Sequence, residues 1–131
     1  MFEEMTEAEC RTLLEKNQVG RVGFATAGKQ FVFPVNYAFH EDSVVFRMSS
    51  GSIANTIPMT EIAFEIDDYD LDRKSGWSVL VQGRANDVTT TIDERSEHLR
   101  SLTVTPWIGE RSMWIALHAQ TISGRRIPPA S

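Results

Sequence analysis

The hydrophobic positions at the start of the chain follow a helical period. Thr6 and Glu9 have the spacing of a capping box, and apolar residues recur on one side of the segment from Cys10 to Leu14. We therefore predict a short helix that ends near Lys16 and covers one end of the fold.

From Val19 onward the pattern changes to short runs of β-branched and aromatic residues separated by turns. We predict six strands, in the stretches VGRVGFAT, FVFPVNYAF, VVFRM, EIAFEIDDY, WSVLVQGRANDV and SMWIALHAQTI. The capping-box spacing of Thr91 and Glu94 predicts a second helix, which reaches about Leu102. The last stretch, SGRRIPPAS, is predicted to be a tail.

Two residues predict irregularities inside these strands. Pro34 has no N–H to donate to a neighbouring strand, so it should lie at an edge or a bulge, where a ligand could approach the backbone. Gly83 lies within the fifth predicted strand and indicates a bulge or a close contact.

The order of the elements predicts the fold class. Parallel βαβ units require helices between most strands, and these are missing, so we expect a mainly β protein with an antiparallel barrel or strongly curled sheet. The 131 residues, 41% of them hydrophobic, predict one domain across residues 1–131.

Composition narrows the classes of partner. A net charge of -5 offers no broad basic face for nucleic acid. The lone Cys10 excludes a disulfide framework and a cysteine-based zinc site, which fits a reducing compartment. The N-terminus is acidic, and no apolar run approaches the ~18 residues of a membrane span. We therefore expect a cytoplasmic protein that binds neither nucleic acid nor a membrane.

Familiar catalytic and metal-binding patterns do not occur. The three histidines lack ligand spacing, and the acidic stretch at residues 67–72 lacks the glycine and glutamate of a calcium loop, so we expect no metal site. The chain contains no G-x-S-x-G, Walker A or G-x-G-x-x-G sequence.

The stretch VVFRMSSGSIANT is the first candidate site. A phosphate monoester is held by an arginine fork, hydroxyl donors and a glycine loop, and Arg47, Ser49, Ser50, Gly51 and Ser52 supply all three. The same pattern is also typical of a solvated turn.

A second candidate site combines the stretches PVNY and GWSVLVQG, which carry aromatic faces and amides on strands. These are the groups that bind a planar heterocycle. Packing inside the barrel or at a dimer interface explains Tyr37 and Trp77 equally well.

Several of these stretches occur together in the order of a known family. VGRVGF, FVFPVNY, VVFR with a small-residue loop, IAFEID, GWSVLVQG and SGRRI resemble the pyridoxamine 5'-phosphate oxidase-like, FMN-binding split-barrel family, especially its small actinobacterial members. The resemblance implies a six-stranded antiparallel split β-barrel and a homodimer with one flavin in each of two interface clefts.

The resemblance also implies roles for individual residues. The phosphate and ribityl contacts would come from Arg47, Met48, Ser49 and Ser52. Backbone or amide groups facing the flavin ring would come from Pro34, Val35 and Asn36. Residues that lie near the flavin, often across the interface, would be Trp77 and Ser78.

One position departs from the family pattern. Relatives usually carry lysine or arginine where this chain has Ile53, and losing one charge-assisted phosphate contact costs about 1.5–3 kcal/mol, or one to two powers of ten in affinity. The resemblance implies an FMN-dependent oxidoreductase that acts on a small molecule.

Two other functions are open at this stage. The first is an F420-dependent reductase, although few basic residues accompany the phosphate stretch. The second is a non-enzymatic dimeric module that holds a flavin or haem-like ligand. Pyridoxamine phosphate oxidation itself is disfavoured, because the set of arginines that binds the substrate phosphate in true oxidases is not recognisable near the C-terminus. Arg125 and Arg126 are the only paired candidates there. No side chain is an evident acid or base, so we nominate no catalytic residue.

Overall fold

A computed structural model describes residues 2–48, 57, 59–104 and 113–130 of the chain. Seven strands and two helices follow one another within these residues: β1 (Glu3–Glu4), α1 (Glu7–Lys16), β2 (Val19–Thr26), β3 (Lys29–His40), β4 (Ser43–Met48), β5 (Glu61–Asp70), β6 (Ser75–Asp87), α2 (Glu94–Arg100) and β7 (Met113–Ile127).

The strands form one antiparallel sheet that closes on itself. Its order is β1-β7-β4-β3-β2-β5-β6, and an additional pairing of β6 with β7 closes a ring of six strands. The predicted mainly β antiparallel barrel is therefore confirmed.

The predicted strand list was incomplete at both ends of the chain. The two residues of β1 pair with Arg125 and Arg126 of β7, outside the ring. β7 also continues to Ile127, so the stretch SGRRI belongs to a strand and not to a tail. The residues of this stretch are mostly polar, but their backbone N–H and C=O groups form hydrogen bonds with β6.

β3 pairs with its two neighbouring strands over different parts of its length. β4 pairs with β3 only over Tyr37–His40, whereas in the described part of the chain the first half of β3 pairs with β2 alone. Pro34 lies in this one-sided part, opposite Arg21, as expected for a residue without an N–H donor. The edge at Pro34 is thus open on one side.

Gly83 marks a bulge, as predicted. The register of β6 against β7 shifts between Gln82 and Gly83. A Cβ atom at position 83 would overlap the carbonyl oxygen of His118, so only glycine allows the two strands to approach there.

The core fills the barrel interior and is covered at one end by α1. Phe46, Phe64 and Ile115 are fully buried inside the ring, and Leu14 of α1 joins them. The hydroxyl of Tyr37 donates a hydrogen bond to the Leu14 carbonyl oxygen at 2.7 Å, which ties the helix to β3.

The second helix packs against the outer face of the sheet. Val45, Val88, Leu99 and Ala116 form a small buried cluster between α2 and strands β4 and β7. The helix ends at Arg100, two residues before the predicted end near Leu102. The outer face of β4 is therefore covered and its inner face belongs to the core.

Candidate functional site

The stretch VVFRMSSGSIANT, which is predicted to bind a phosphate, lies only partly within the described residues. Ser49, Ser50, Gly51, Ser52 and Ile53 lie outside them, so their assignment stays a prediction.

The two remaining candidate residues of that stretch lie on opposite faces of β4. Met48 is 9% exposed and packs in the core beside Phe46, so only its backbone could face a ligand. Arg47 points to the outer face, because successive strand residues alternate between faces. The structure thus separates Met48 from any side-chain role at the phosphate.

Arg47 is held by aromatic and backbone contacts. Its guanidinium carbon lies 4.7 Å from the centroid of the Trp114 ring, and Nη1 donates to the carbonyl oxygen of Val104 at 3.2 Å. Trp114 is also its cross-strand neighbour in β7. Arg47 therefore joins the end of β4 to the segment that follows α2.

A groove of about 320 Å³ begins beside this contact. Its walls are the outer face of β3, the residues after α1 and the segment after α2, and its lining includes Asn17, Gln18, Asn36, Ala38 and Val104. The volume is within the range of small-molecule sites, and Asn36 and the side-chain amides after α1 supply hydrogen-bonding groups. The groove brings Asn36 close to the residue that Arg47 contacts.

The other two predicted residues of β3 face in opposite directions. Pro34 is exposed, whereas Val35 is 2% exposed and lies in the core. Contact between Val35 and a flavin ring would therefore have to use its backbone, which is the kind of contact that the resemblance implies.

Trp77 and Ser78 also face in opposite directions. Trp77 packs against the barrel core and lines a cleft with Tyr69 and Pro128. Ser78 points outward, and its Oγ donates to Oε2 of Glu65 at 3.0 Å. Their side chains therefore cannot reach one ligand from the same face of the sheet.

The two predicted groups of residues are far apart in one protomer. Pro34 pairs with Arg21, Arg21 with Glu65, and Glu65 with Leu80 of β6. Three strand spacings correspond to about 14 Å along the sheet. One chain therefore presents two separate part-sites, one at β3–β4 and one at β6.

The β6 part-site contains charged residues that the sequence reasoning missed. Nη1 of Arg21 lies 3.3 Å from Oε1 of Glu65 and 3.2 Å from Oδ2 of Asp67. Burial raises the pKa of Glu65, and its contact with Asp67 raises it further. No local pattern signals this cluster, because Arg21, Glu65 and Ser78 come from three strands and meet only through the barrel register.

A cleft of about 520 Å³ adjoins this cluster. It lies between the N-terminal segment and the outer side of β6 and β7, and it is lined by Phe2, Glu65, Ser78 and Arg125. The guanidinium carbon of Arg125 lies 4.8 Å from the centroid of the Phe2 ring. Arg126 differs, because its Nη2 is 2.6 Å from Oε2 of Glu9. The two adjacent arginines therefore do not act as a pair.

A surface with small residues and an exposed valine lies between the two part-sites. Gly23 pairs with Val32 on one side and with Ala63 on the other, and Val32 is 71% exposed. Small residues flanked by an exposed valine allow another surface to approach closely. This surface, defined by Gly23, Val32 and Ala63, is called the flat face below.

Two kinds of feature are absent from residues 2–48, 57, 59–104 and 113–130. No group of three His, Cys, Asp or Glu residues converges there to hold a metal ion. Neither helix in that part of the chain is long and apolar enough to cross a membrane.

Comparisons with known proteins agree with this architecture. The sequence model of the pyridoxamine 5'-phosphate oxidase family matches residues 6–126. An uncharacterized protein of Mycobacterium tuberculosis is 28% identical over 131 residues, which cover 95% of this chain and 84% of that protein.

Two solved structures share the fold. The FAD binding protein from Mycobacterium smegmatis is 27% identical with a TM-score of 0.78, covering 95% of this chain and 97% of that chain. The FAD-binding protein from Mesorhizobium loti is 19% identical with a TM-score of 0.76, covering 97% of this chain and 99% of that chain. Since the family match extends from the cap of α1 to the end of β7, the chain belongs to the pyridoxamine 5'-phosphate oxidase family.

Proposed function

We propose that the protein is a flavin-dependent oxidoreductase that acts on a small molecule, with the flavin held at a homodimer interface. The observation that carries the proposal is the separation of the predicted ligand residues into two part-sites, about 14 Å apart along the sheet of one protomer. Two copies packed through the flat face would bring the β3–β4 part-site of one chain to the β6 part-site of the other.

The charges of the described residues are compatible with an anionic cofactor. The chain carries a net charge of -5, so an anion requires local cations. Arg47 lies beside the groove at β3–β4, and Arg125 lies in the cleft beside Ser78. Each part-site therefore has an arginine close to it, and in the β6 part-site Arg21 is paired with the carboxylates of Glu65 and Asp67.

The flavin, when bound, would supply hydride transfer, and the protein would supply orientation and electrostatics. Asn36 in the groove is an amide that can bind the polar edge of a ring. Ser78 and Arg125 would bind from the second protomer. No described residue of the groove has the surroundings of a general acid or base, so no catalytic side chain is assigned.

FMN is the first choice of cofactor, because the family resemblance implies phosphate contacts in the stretch after β4. FAD is the second, because the relative from Mycobacterium smegmatis with 27% identity is an FAD binding protein. F420 ranks below both, since its longer acidic tail needs more cations than Arg47 and its neighbours supply. A cytoplasmic location stays a prediction.

The purified protein tests the proposal directly. We expect a yellow protein whose heat-released cofactor is identified by chromatography against FMN, FAD and F420 standards, and whose bound flavin is reduced by a nicotinamide or chemical donor and reoxidised by a small-molecule acceptor. A colourless protein that takes up none of the three cofactors would refute the flavin assignment and favour a non-enzymatic module. A flavin that binds without any turnover in a substrate screen would refute the oxidoreductase assignment alone.

A further inference from the structure

A cleft of about 350 Å³ lies between α2 and the outer face of β4, β6 and β7. It is remote from the groove at Arg47, because Ser43 begins β4 and Arg47 lies four residues further on, about 13 Å along the strand. Its polar lining includes Ser43, Asn86, Arg95 and His118. The proposed flavin site makes no use of these residues.

Arg95 connects the polar groups of the cleft. Its Nη2 donates to Oγ of Ser43, a hydroxyl on a residue that is fully buried, and lies 3.2 Å from Nδ1 of His118. An arginine is always protonated and can only donate, so Nδ1 of His118 accepts and its proton is on Nε2. The cleft thus holds the N–H donors of the guanidinium beside a buried hydroxyl and the imidazole of His118.

The carboxylates in the wall are engaged elsewhere. Asp93 accepts hydrogen bonds from the backbone N–H of Ser96 at 2.7 Å and from its hydroxyl at 3.1 Å, as the N-cap of α2. Asp87 accepts from the backbone N–H of Thr89 at 2.9 Å.

Among the described residues Arg95 forms no salt bridge. The nearby Asp42 carboxylate is paired with Arg11 at 2.6 Å, and its pKa is lowered mainly by this hydrogen bond from Arg11 and in part by the charge of Arg95. The guanidinium therefore keeps its charge available to an anion that enters the cleft.

The rest of the wall is mixed, with Thr91 and Ser96 as polar members and three apolar residues beside them. Val88, Leu99 and Ala116, which are at most 8% exposed, contribute side chains beside the polar groups. The volume is within the range of small-ligand sites, which combine apolar walls with a few convergent polar groups. A ligand that fits this arrangement has a single anionic head and a compact apolar body.

We propose that this cleft binds a small carboxylic acid. The carboxylate accepts hydrogen bonds from the Arg95 guanidinium, beside His118, and the apolar body packs against Val88, Leu99 and Ala116. A charged guanidinium binds a carboxylate more strongly than it binds a neutral hydroxyl such as Ser43. The site is independent of the flavin assignment, since none of its residues belongs to either part-site.

Benzoate is a suitable probe, and benzamide is its neutral counterpart of the same shape. Titration of the ¹⁵N-labelled protein as purified is expected to give saturable shifts of the amide signals of residues 43, 86, 95, 116 and 118. Benzamide is expected to bind at least about tenfold more weakly, because it lacks the charge.

Substitutions at Arg95 and Arg73 distinguish a loss of benzoate binding from a loss of folding. Arg95→Gln is expected to weaken benzoate binding at least about tenfold, Arg95→Lys to restore part of it, and Arg73→Gln in the distant β5–β6 turn to leave it unchanged. Unshifted amide signals elsewhere verify that each variant is folded. The proposal is overturned if benzoate causes no saturable shifts, if the shifts cluster at residues 36 and 47, if benzamide binds equally well, or if Arg95→Gln binds like the wild type.

Discussion

At the scale of single residues, Arg47 is the last described cation before the stretch that is proposed to hold the phosphate. Strand alternation directs it to the outer face, where Trp114 and the Val104 carbonyl fix its guanidinium. A guanidinium that is already ordered loses less conformational entropy when it binds a phosphate. Arg47 is therefore suited to hold an anion without rearrangement of β4.

We predict that Arg47→Ala weakens FMN binding by about 10- to 100-fold, because a charge-assisted contact is worth about 1.5–3 kcal/mol. Flavin fluorescence quenching measures the affinity. Arg73→Ala, which removes an exposed arginine from the β5–β6 turn, is the control and should bind like the wild type. Equal affinities of Arg47→Ala and wild type would contradict the phosphate assignment.

The reciprocal change is Ile53→Lys. If the stretch after β4 faces a phosphate, a lysine there should tighten FMN binding by about one to two powers of ten, since it restores the cation that relatives carry. Riboflavin lacks the phosphate and is the matched control ligand, so its affinity should stay the same. A lysine variant that binds FMN and riboflavin with unchanged affinity would place the phosphate elsewhere.

The sequence predicts the position of a proline or a glycine in a sheet, because each lacks a specific backbone or side-chain group. It does not predict contacts that depend on which strands become neighbours. Pro34 and Gly83 were assigned correctly, because a missing N–H and a missing Cβ have the same consequence in any sheet. The contact of Arg21 with Glu65 spans 44 positions of sequence and depends on which strands become neighbours. Its existence could not be derived from local composition.

At the scale of elements, α1 shows how one side chain joins the start and end of the chain. Glu9 accepts from the backbone N–H of Thr6 at 2.9 Å and from Arg126 of β7 at 2.6 Å. These contacts, with the Thr6 backbone the stronger, lower the pKa of Glu9 from 4.5 to about 2. The ionised carboxylate thus stabilises both the helix cap and its attachment to β7.

The lowered pKa of Glu9 determines how its contribution to stability changes with pH. A carboxyl group whose pKa is lower in the folded state stabilises the fold fully above its unfolded pKa of 4.5 and loses this effect as the pH falls through about 2. We predict that Glu9→Gln lowers the midpoint of denaturant unfolding at pH 7, and that the difference from the wild type shrinks below pH 4.5.

The control for this comparison is Glu15→Gln, in the same helix and exposed to solvent. It should show a much smaller difference at pH 7. A Glu9→Gln variant whose deficit is the same at every pH would show that the side chain stabilises the cap through packing and not through its charge.

Elements with strong local signals were predicted well. α1 begins with the predicted capping box and ends at Lys16, because side-chain caps and helical periodicity are local properties. β1 was missed because two residues carry no period. The end of β7 was missed because its glycine and arginines resemble a polar tail, while the pairing that makes it a strand comes from β6 and β1.

At the scale of the whole molecule, ring closure determines where the candidate residues lie. The six-stranded ring places β3 and β6 three spacings apart, although both carry residues that the family resemblance assigns to one flavin. Sequence motifs name such residues without giving the distance between them. The structure adds that distance, and the proposed dimer would bring both groups of residues to one ligand.

A substitution on the flat face tests the proposed dimer most directly. Val32 is 71% exposed in the single chain, so Val32→Asp leaves the core unchanged. In a dimer packed through this face the carboxylate would be removed from water without a partner, which costs several kcal/mol. We predict a dimeric wild type by sedimentation equilibrium, and a dimer weakened at least about 100-fold in Val32→Asp.

The affinity for flavin in the same variants tests whether the proposed site depends on the dimer. In Val32→Asp it should fall together with the dimer, because each cleft loses the Ser78 and Arg125 of the other chain, whereas Arg47→Ala should lose affinity and stay dimeric. Ile92→Asp changes a residue that is 89% exposed and lies away from the flat face, and it should behave like the wild type in both measurements. A Val32→Asp monomer that binds flavin with full affinity would mean that one chain holds the cofactor alone, through the groove beside Asn36.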